Sequence, residues 1–230
     1  MITLQKIGKL FILLFIVAGL ASCKDDTEND NFDGNGEVIV LKRQLNDDAV
    51  YARAFYVYAN QPMSSASVTL PEGETLTLSP IPQTNFYSHL PTIGDFTPSV
   101  PELGTFYFTV ENEGIEHEFV ESASFNDIDF ATIDTVYANN NKVRIEWQLV
   151  AEADAYQVRL ADENFEVLFT GDLLNNAQTI YEFWPVSQIP ESGKTYKVEI
   201  LAYSFEPDAG NSLLYNIEEI SISSVDIVWP

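Results

Sequence analysis

Few residues in this chain have the chemistry of a nucleophile, a base or a metal ligand, and their spacing limits what they can do. Two histidines, His89 and His117, and one cysteine, Cys23, stand among 35 Asp and Glu residues. A hydrolytic triad needs a nucleophile, a base and an orienting acid within hydrogen-bond reach. The sequence has no G-x-S-x-G, no H-E-x-x-H and no glycine-rich phosphate loop. His89 falls in a proline-rich connection. His117 stands between Glu116 and Glu118 in a predicted strand, where neighbours point to opposite faces. With so many carboxylates, a pair at the roughly 5–9 Å of a glycosidase arises by chance, so pairing alone makes no enzyme. The expectation is a non-catalytic protein without a cofactor.

Metal ligation fares no better. Asn31-x-Asp33-x-Asn35-Gly36 places oxygen ligands at alternate positions before a glycine, as a calcium loop does. The bidentate acid needed at the twelfth position is missing, because Lys42 stands there, and the residues after Gly36 predict a strand instead of a helix. No metal site is expected. Aromatic side chains are the better candidates for ligand contact, since exposed rings stack on sugars. Phe86 and Tyr87 sit in the proline-rich connection, and Trp184 closes the run Tyr181-Glu182-Phe183-Trp184. These three are the candidate contacts.

Charge narrows the partners. The chain carries 11 Lys and Arg against 35 Asp and Glu, a formal charge of −24. From Ala54 to Asn141 there is no Lys or Arg but there are twelve acids. Nucleic acid is bound by neutralising phosphates with Lys and Arg, so it is excluded as a partner. Anionic lipid and acidic polysaccharide are repelled at long range, which points to a neutral glycan if a glycan is bound.

The N-terminus sets location. Lys6 and Lys9 precede an eleven-residue apolar run, Leu10 to Leu20, which ends in Leu20-Ala21-Ser22-Cys23. A basic segment, a short apolar core and small residues mark an export signal; a bilayer-spanning helix needs about 20 apolar residues. The ending at Cys23 resembles the lipobox of bacterial lipoproteins. That resemblance implies cleavage of residues 1–22, lipid on Cys23 and outer-membrane lipid as the anchoring partner. Residues 23–36 are polar, acidic and glycine-containing, and read as a flexible tether. Lys24-Asp25-Asp26 is similar to the Bacteroidota-type lipoprotein export signal, which implies display on the cell exterior.

Beyond the tether the period is that of strands. Val50–Tyr58, Ser67–Leu70, Thr75–Leu78, Thr105–Val110 and Glu116–Val120 alternate between turn residues. Phe106–Val110 and Glu116–Val120 predict a hairpin. Pro80 to Pro101 holds five prolines and predicts a connection with an edge strand. In the second half, Val143–Leu149, Tyr156–Leu160, Val167–Thr170 and Tyr196–Ile200 alternate, with strands returning at Glu218–Ile222 and Val225–Val228. Trp147 in the second strand of a domain starting near Thr132, Tyr156 opening its third, and Pro190 followed by Tyr196-Lys-Val-Glu-Ile-Leu-Ala in its sixth resemble a fibronectin type III domain. By that resemblance Trp147 packs at the sandwich centre, and the Tyr196 hydroxyl reaches backbone near Pro190.

The expected architecture is therefore all-β. Two tandem immunoglobulin-like or fibronectin type III-like sandwiches, 37–131 and 132–230, follow the signal and tether. The expected function is a non-catalytic surface lipoprotein acting as a binding or spacer module. Two alternatives stand beside it: a glycan-binding component of a polysaccharide-uptake system, and a structural subunit of a surface assembly that contacts another surface protein.

Overall fold

The computed structural model describes residues 32–139, 142–184, 190–207 and 216–230. Alternation becomes strand throughout. The first half holds β1 (Gly34–Leu45), β2 (Asp48–Ala59), β3 (Ser65–Thr69), β4 (Thr75–Thr77), β5 (Ser79–Pro80), β6 (Phe86–His89), β7 (Thr105–Asn112) and β8 (Ile115–Ser122). The second holds β9 (Ile133–Asn139), β10 (Lys142–Trp147), β11 (Ala155–Ala161), β12 (Val167–Asn175), β13 (Ile180–Phe183), β14 (Thr195–Phe205) and β15 (Ile217–Val228). The only described helix is a single 3₁₀ turn, Ile93–Asp95, inside the proline-rich connection. Pro80 lies in the two-residue strand β5 at the sheet edge, where its missing N–H costs no ladder bond.

Local chemistry explains the turns. β1 and β2 close through Asn46-Asp47, both at positive φ (50° and 70°), and β7 and β8 through Glu113-Gly114 (50° and 83°). Two-residue loops of this hand match the right-handed twist of antiparallel strands.

In the second half the three-stranded sheet β13-β10-β9 faces β12-β11-β14-β15, three strands against four. Between them lie Val143, Ile145, Trp147, Tyr156, Val158, Leu160, Val198 and Ile200. Trp147 is 2% exposed, with its ring centroid 5.6 Å from that of Tyr156. Two tyrosines latch loops to this core: Val150 N–H donates to Tyr156 Oη at 2.6 Å, and Glu191 N–H to Tyr196 Oη at 2.9 Å. In the first half the four-stranded sheet β4-β3-β7-β8 covers β1, β2, β6 and β5. Val40, Val57, Val68, Phe106, Phe108 and Val110 are fully buried there, and Phe55 packs on Phe106 at 5.8 Å.

The two halves are not beads on a string. Strand β1 pairs with β2 on one edge and runs parallel to β15 on the other, Val40 opposite Glu219 and Arg43 opposite Ile222. The result is one eight-stranded sheet, β12-β11-β14-β15-β1-β2-β6-β5, running through both sandwiches. Residues Gly34 to Gly36, counted with the tether on sequence, are its first residues. Gly36 is required there, since a Cβ would lie 2.2 Å from the Phe108 ring.

The segment joining β8 to β9 is fastened over this parallel seam. Lys42 Nζ pairs with Asp127 Oδ1 at 2.7 Å and donates to Ile128 O at 2.9 Å. The fully buried Glu219 accepts from the N–H groups of Asn126 and Ile128, both at 3.1 Å, and Ser221 Oγ donates to Asp129 O at 2.8 Å. Burial pushes the Glu219 carboxyl up to about 7 against the pull of those donors and of Lys42. Buried polar groups persist only with such partners.

Candidate functional site

Side chains alternate along β1, so each residue belongs to one face. Val38 and Val40 point into the first core. Glu37, Ile39, Leu41 and Arg43 point to the opposite face of the eight-stranded sheet, the face that neither second sheet covers. Pairing register carries the same face through Tyr56 and Tyr58 on β2, Ile220 and Ile222 on β15, Leu201 and Tyr203 on β14, and Gln157 and Arg159 on β11. Its middle is an apolar cluster that includes Ile39, Ala54, Ala155, Leu201, Ile220 and Ile222.

One end of this face is plugged. Arg43 Nη1 meets Glu199 Oε1 at 2.5 Å, with Arg43 8% and Glu199 1% exposed. The guanidinium lies 5.6 Å from the Phe96 ring centre and 4.9 Å from that of Phe165.

At the other end the described residues leave a cavity of about 220 Å³. Four rings line it: Tyr56, Tyr58, Phe86 and Tyr203. Ile39, Ile217 and Ile220 supply apolar surface, and Glu37 and Arg159 supply polar groups. Tyr58 and Phe86 lie 5.7 Å apart at 32°.

Polar atoms here are arranged unevenly. Tyr203 Oη donates to Gln157 Oε1 at 2.8 Å, and Gln157 Nε2 donates to Gly171 O at 3.0 Å. Arg159 Nη2 reaches the same Gln157 oxygen at 3.5 Å, while Arg159 Nε is buried without an acceptor. Burial drives the Glu37 carboxyl up to about 8, helped by the charges of Glu206 and Glu121 and opposed by a 3.1 Å bond from Asn35 Nδ2. Burial likewise raises the hydroxyl of Tyr56, and it pushes that of Tyr203 up to about 12, against the Arg159 charge in both cases. Among the described residues no cluster of His, Cys, Asp or Glu is arranged to hold a metal. Asn35 and Gly36, from the calcium-like spacing, are strand residues paired with Tyr58 and Val57.

The candidate contacts read from sequence separate. Phe86 lines the cavity. Tyr87, one residue on, turns to the opposite face, where it is buried and donates its hydroxyl to Met63 O at 2.9 Å. Trp184 is 63% exposed at the end of β13, on a different sheet, with Lys142 Nζ 5.1 Å from its ring centre. Cys23, Lys24, Asp25 and Asp26 lie outside the described residues. The remaining cavity residues were not singled out on sequence. Arg159 sits at a polar position of an alternating strand, which reads as ordinary solvent exposure until β1 extends the sheet. The tyrosines of β2 read as core.

This geometry defines the class of fold, an all-β tandem sandwich of the immunoglobulin and fibronectin type III kind. No family model matches the chain, and no curated protein does. Among solved structures, a two-domain fibronectin type III segment of chicken tenascin is similar at 10% identity, covering 85% of this chain and 99% of that one, with a TM-score of 0.30. The FN1–FN3 domains of chicken CNTN1 are similar at 13% identity over 84% of this chain and 63% of that one, with a TM-score of 0.30. The spore cortex lytic enzyme SleM of Clostridium perfringens is similar at 15% identity over 51% of this chain, with a TM-score of 0.32; the match spans 35% of SleM. At such identities and TM-scores the likeness says nothing of what this chain does.

Proposed function

We propose that this chain is a lipid-anchored, non-catalytic surface protein that binds a glycan in the cavity of the eight-stranded sheet. Two parts of the chain support the reading. Leu20-Ala21-Ser22-Cys23 and Lys24-Asp25-Asp26 have the form of a lipoprotein signal with surface export. The cavity supplies the ligand half and carries the proposal: Tyr56, Tyr58, Phe86 and Tyr203 present ring surface beside a few polar groups, the composition of a small-ligand site.

The anchor is tested by fractionation. Cys23→Ser protein is expected in the soluble fraction, and full retention on membranes after signal cleavage overturns the anchor. Neutralising Asp25 and Asp26 is expected to remove the protein from protease shaving of whole cells while leaving lipidation intact. For the ligand, Tyr58→Ala is expected to weaken binding on a glycan array, where loss of one stacked ring is worth about 1–3 kcal/mol by analogy with bases. Trp184→Ala, remote from the cavity, is expected to leave the array unchanged. An array empty for the wild-type chain overturns the glycan.

A further inference from the structure

We infer that the cavity recognises an acidic sugar, a single hexuronic acid unit, with its carboxylate on Arg159 and its ring against the tyrosine faces; this rests on the cavity being the glycan site. Every other described lysine and arginine has a carboxylate oxygen within 2.8 Å. Among the described residues Arg159 alone has none, in a chain with 35 acids.

The reason is geometric. Arg159 lies directly across β11 and β14 from Glu199, the acid it would ordinarily pair with. Arg43 holds that acid instead. Glu37, which lines the same cavity, forms no ion pair with Arg159. The guanidinium is left with neutral partners only, a long contact to Gln157 and the Tyr203 hydroxyl, and with a buried Nε–H without an acceptor. Leaving such a donor unsatisfied is costly, and a carboxylate matches the planar fork of arginine.

Size and charge narrow the ligand further. Sites for drug-sized ligands enclose about 300–1,000 Å³; this one, at about 220 Å³, takes one ring. Tyrosine faces suit the C–H face of a pyranose, and the Gln157 amide and tyrosine hydroxyls suit its hydroxyl groups. The −24 charge of the chain opposes a polyanion at long range. Beyond about 8 Å physiological salt screens that repulsion, so one carboxylate on an otherwise neutral body meets little of it. Arg159 acts only at contact. The long-range repulsion that favours a neutral glycan therefore spares a single acidic unit.

The test uses pairs that differ only in the carboxylate: methyl glucuronoside against methyl glucoside, and methyl galacturonoside against methyl galactoside. Each is titrated into the full chain in detergent and followed by NMR or calorimetry. One uronoside is expected to bind at least tenfold tighter than its neutral partner. Arg159→Gln is expected to erase that preference; Arg159→Lys, which keeps the charge without the fork, is expected to fall between. Tyr58→Leu is expected to weaken both members of the pair. Equal binding of the two members by wild type, or a preference that survives Arg159→Gln, overturns the acidic sugar and leaves the glycan site standing. Cyclohexanecarboxylate binding as tightly as the uronoside overturns the sugar. If no sugar of either kind binds, the glycan reading falls and takes this inference with it.

Discussion

Arg159 and Glu199 face each other across β11 and β14 without pairing, because Glu199 gives its Oε1 to Arg43 two strands away on β1. One carboxylate thereby joins the first described strand to the second sandwich and leaves a guanidinium without a carboxylate partner in the cavity.

An asymmetry between variants follows. Glu199→Leu strands Arg43 between two rings, and breaking a buried pair this way costs about 3–5 kcal/mol. Arg43→Met is expected to cost less, because Arg159 stands across the ladder and can take Glu199. Urea midpoints of the two single variants check the order. The same Arg43→Met protein is expected to lose uronoside preference, since Arg159 is withdrawn from the cavity.

Trp147→Ala removes the largest fully buried side chain of the second core, and its partner Tyr156 also latches the Val150 loop. Truncating such a ring costs about 3–5 kcal/mol, a large share of the roughly 5–15 kcal/mol that holds a domain together. Denaturant unfolding of the full chain measures it. A loss below about 1 kcal/mol would contradict the packing described.

Stability is expected to fall as pH rises through the window set by Glu37. Its ordinary value is 4.5 and its folded value about 8. Between these the folded state holds a proton that the unfolded state has released, so rising pH favours unfolding. The contribution is complete below 4.5 and lost above about 8. The groups responsible are the burying cavity walls, then Glu206 and Glu121, against Asn35. Glu37→Gln is expected to flatten this slope by on the order of 2 kcal/mol, leaving the part owed to Glu219. Thermal melts from pH 5 to pH 9, wild type against variant, provide the comparison.

Residues 132–230 expressed without the first half are expected to unfold at a lower urea concentration than the same region in the full chain. They lose β1, and with it Ile39 and Leu41 from the cluster around Leu201 and Ile222. Trp147 fluorescence follows the transition. Equal midpoints would mean that the parallel seam adds nothing.

Much of the all-β architecture was legible because its signals are local. Val143–Leu149 alternates and becomes β10; Asn112-Glu113-Gly114 marks a hairpin that is there. The proline-rich connection gave up only β5, β6 and one 3₁₀ turn. What escaped depends on distance along the chain. Glu218–Ile222 and Val225–Val228 read as two strands, yet β15 runs unbroken from Ile217 to Val228. Its pairing with β1 joins residues some 180 positions apart, as Val40 and Glu219 show, and no local period reports that. Lys42 and Arg43 are both buried, each neutralised by an acid remote in sequence, a pairing that no local signal reports. The cavity was legible at Phe86 alone, because its other walls are assembled by that same remote pairing.

The parallel seam also has a mechanical side. β1 is the first described strand, and both its edges are hydrogen bonded, to β2 and to β15. Tension applied to the chain ahead of Gly34 and directed along the strand would load both ladders in shear, so that their bonds must yield together and cannot unzip singly from a free edge. A body tethered at that end and pulled by flow or by a held ligand would present a strand anchored on both sides to the load.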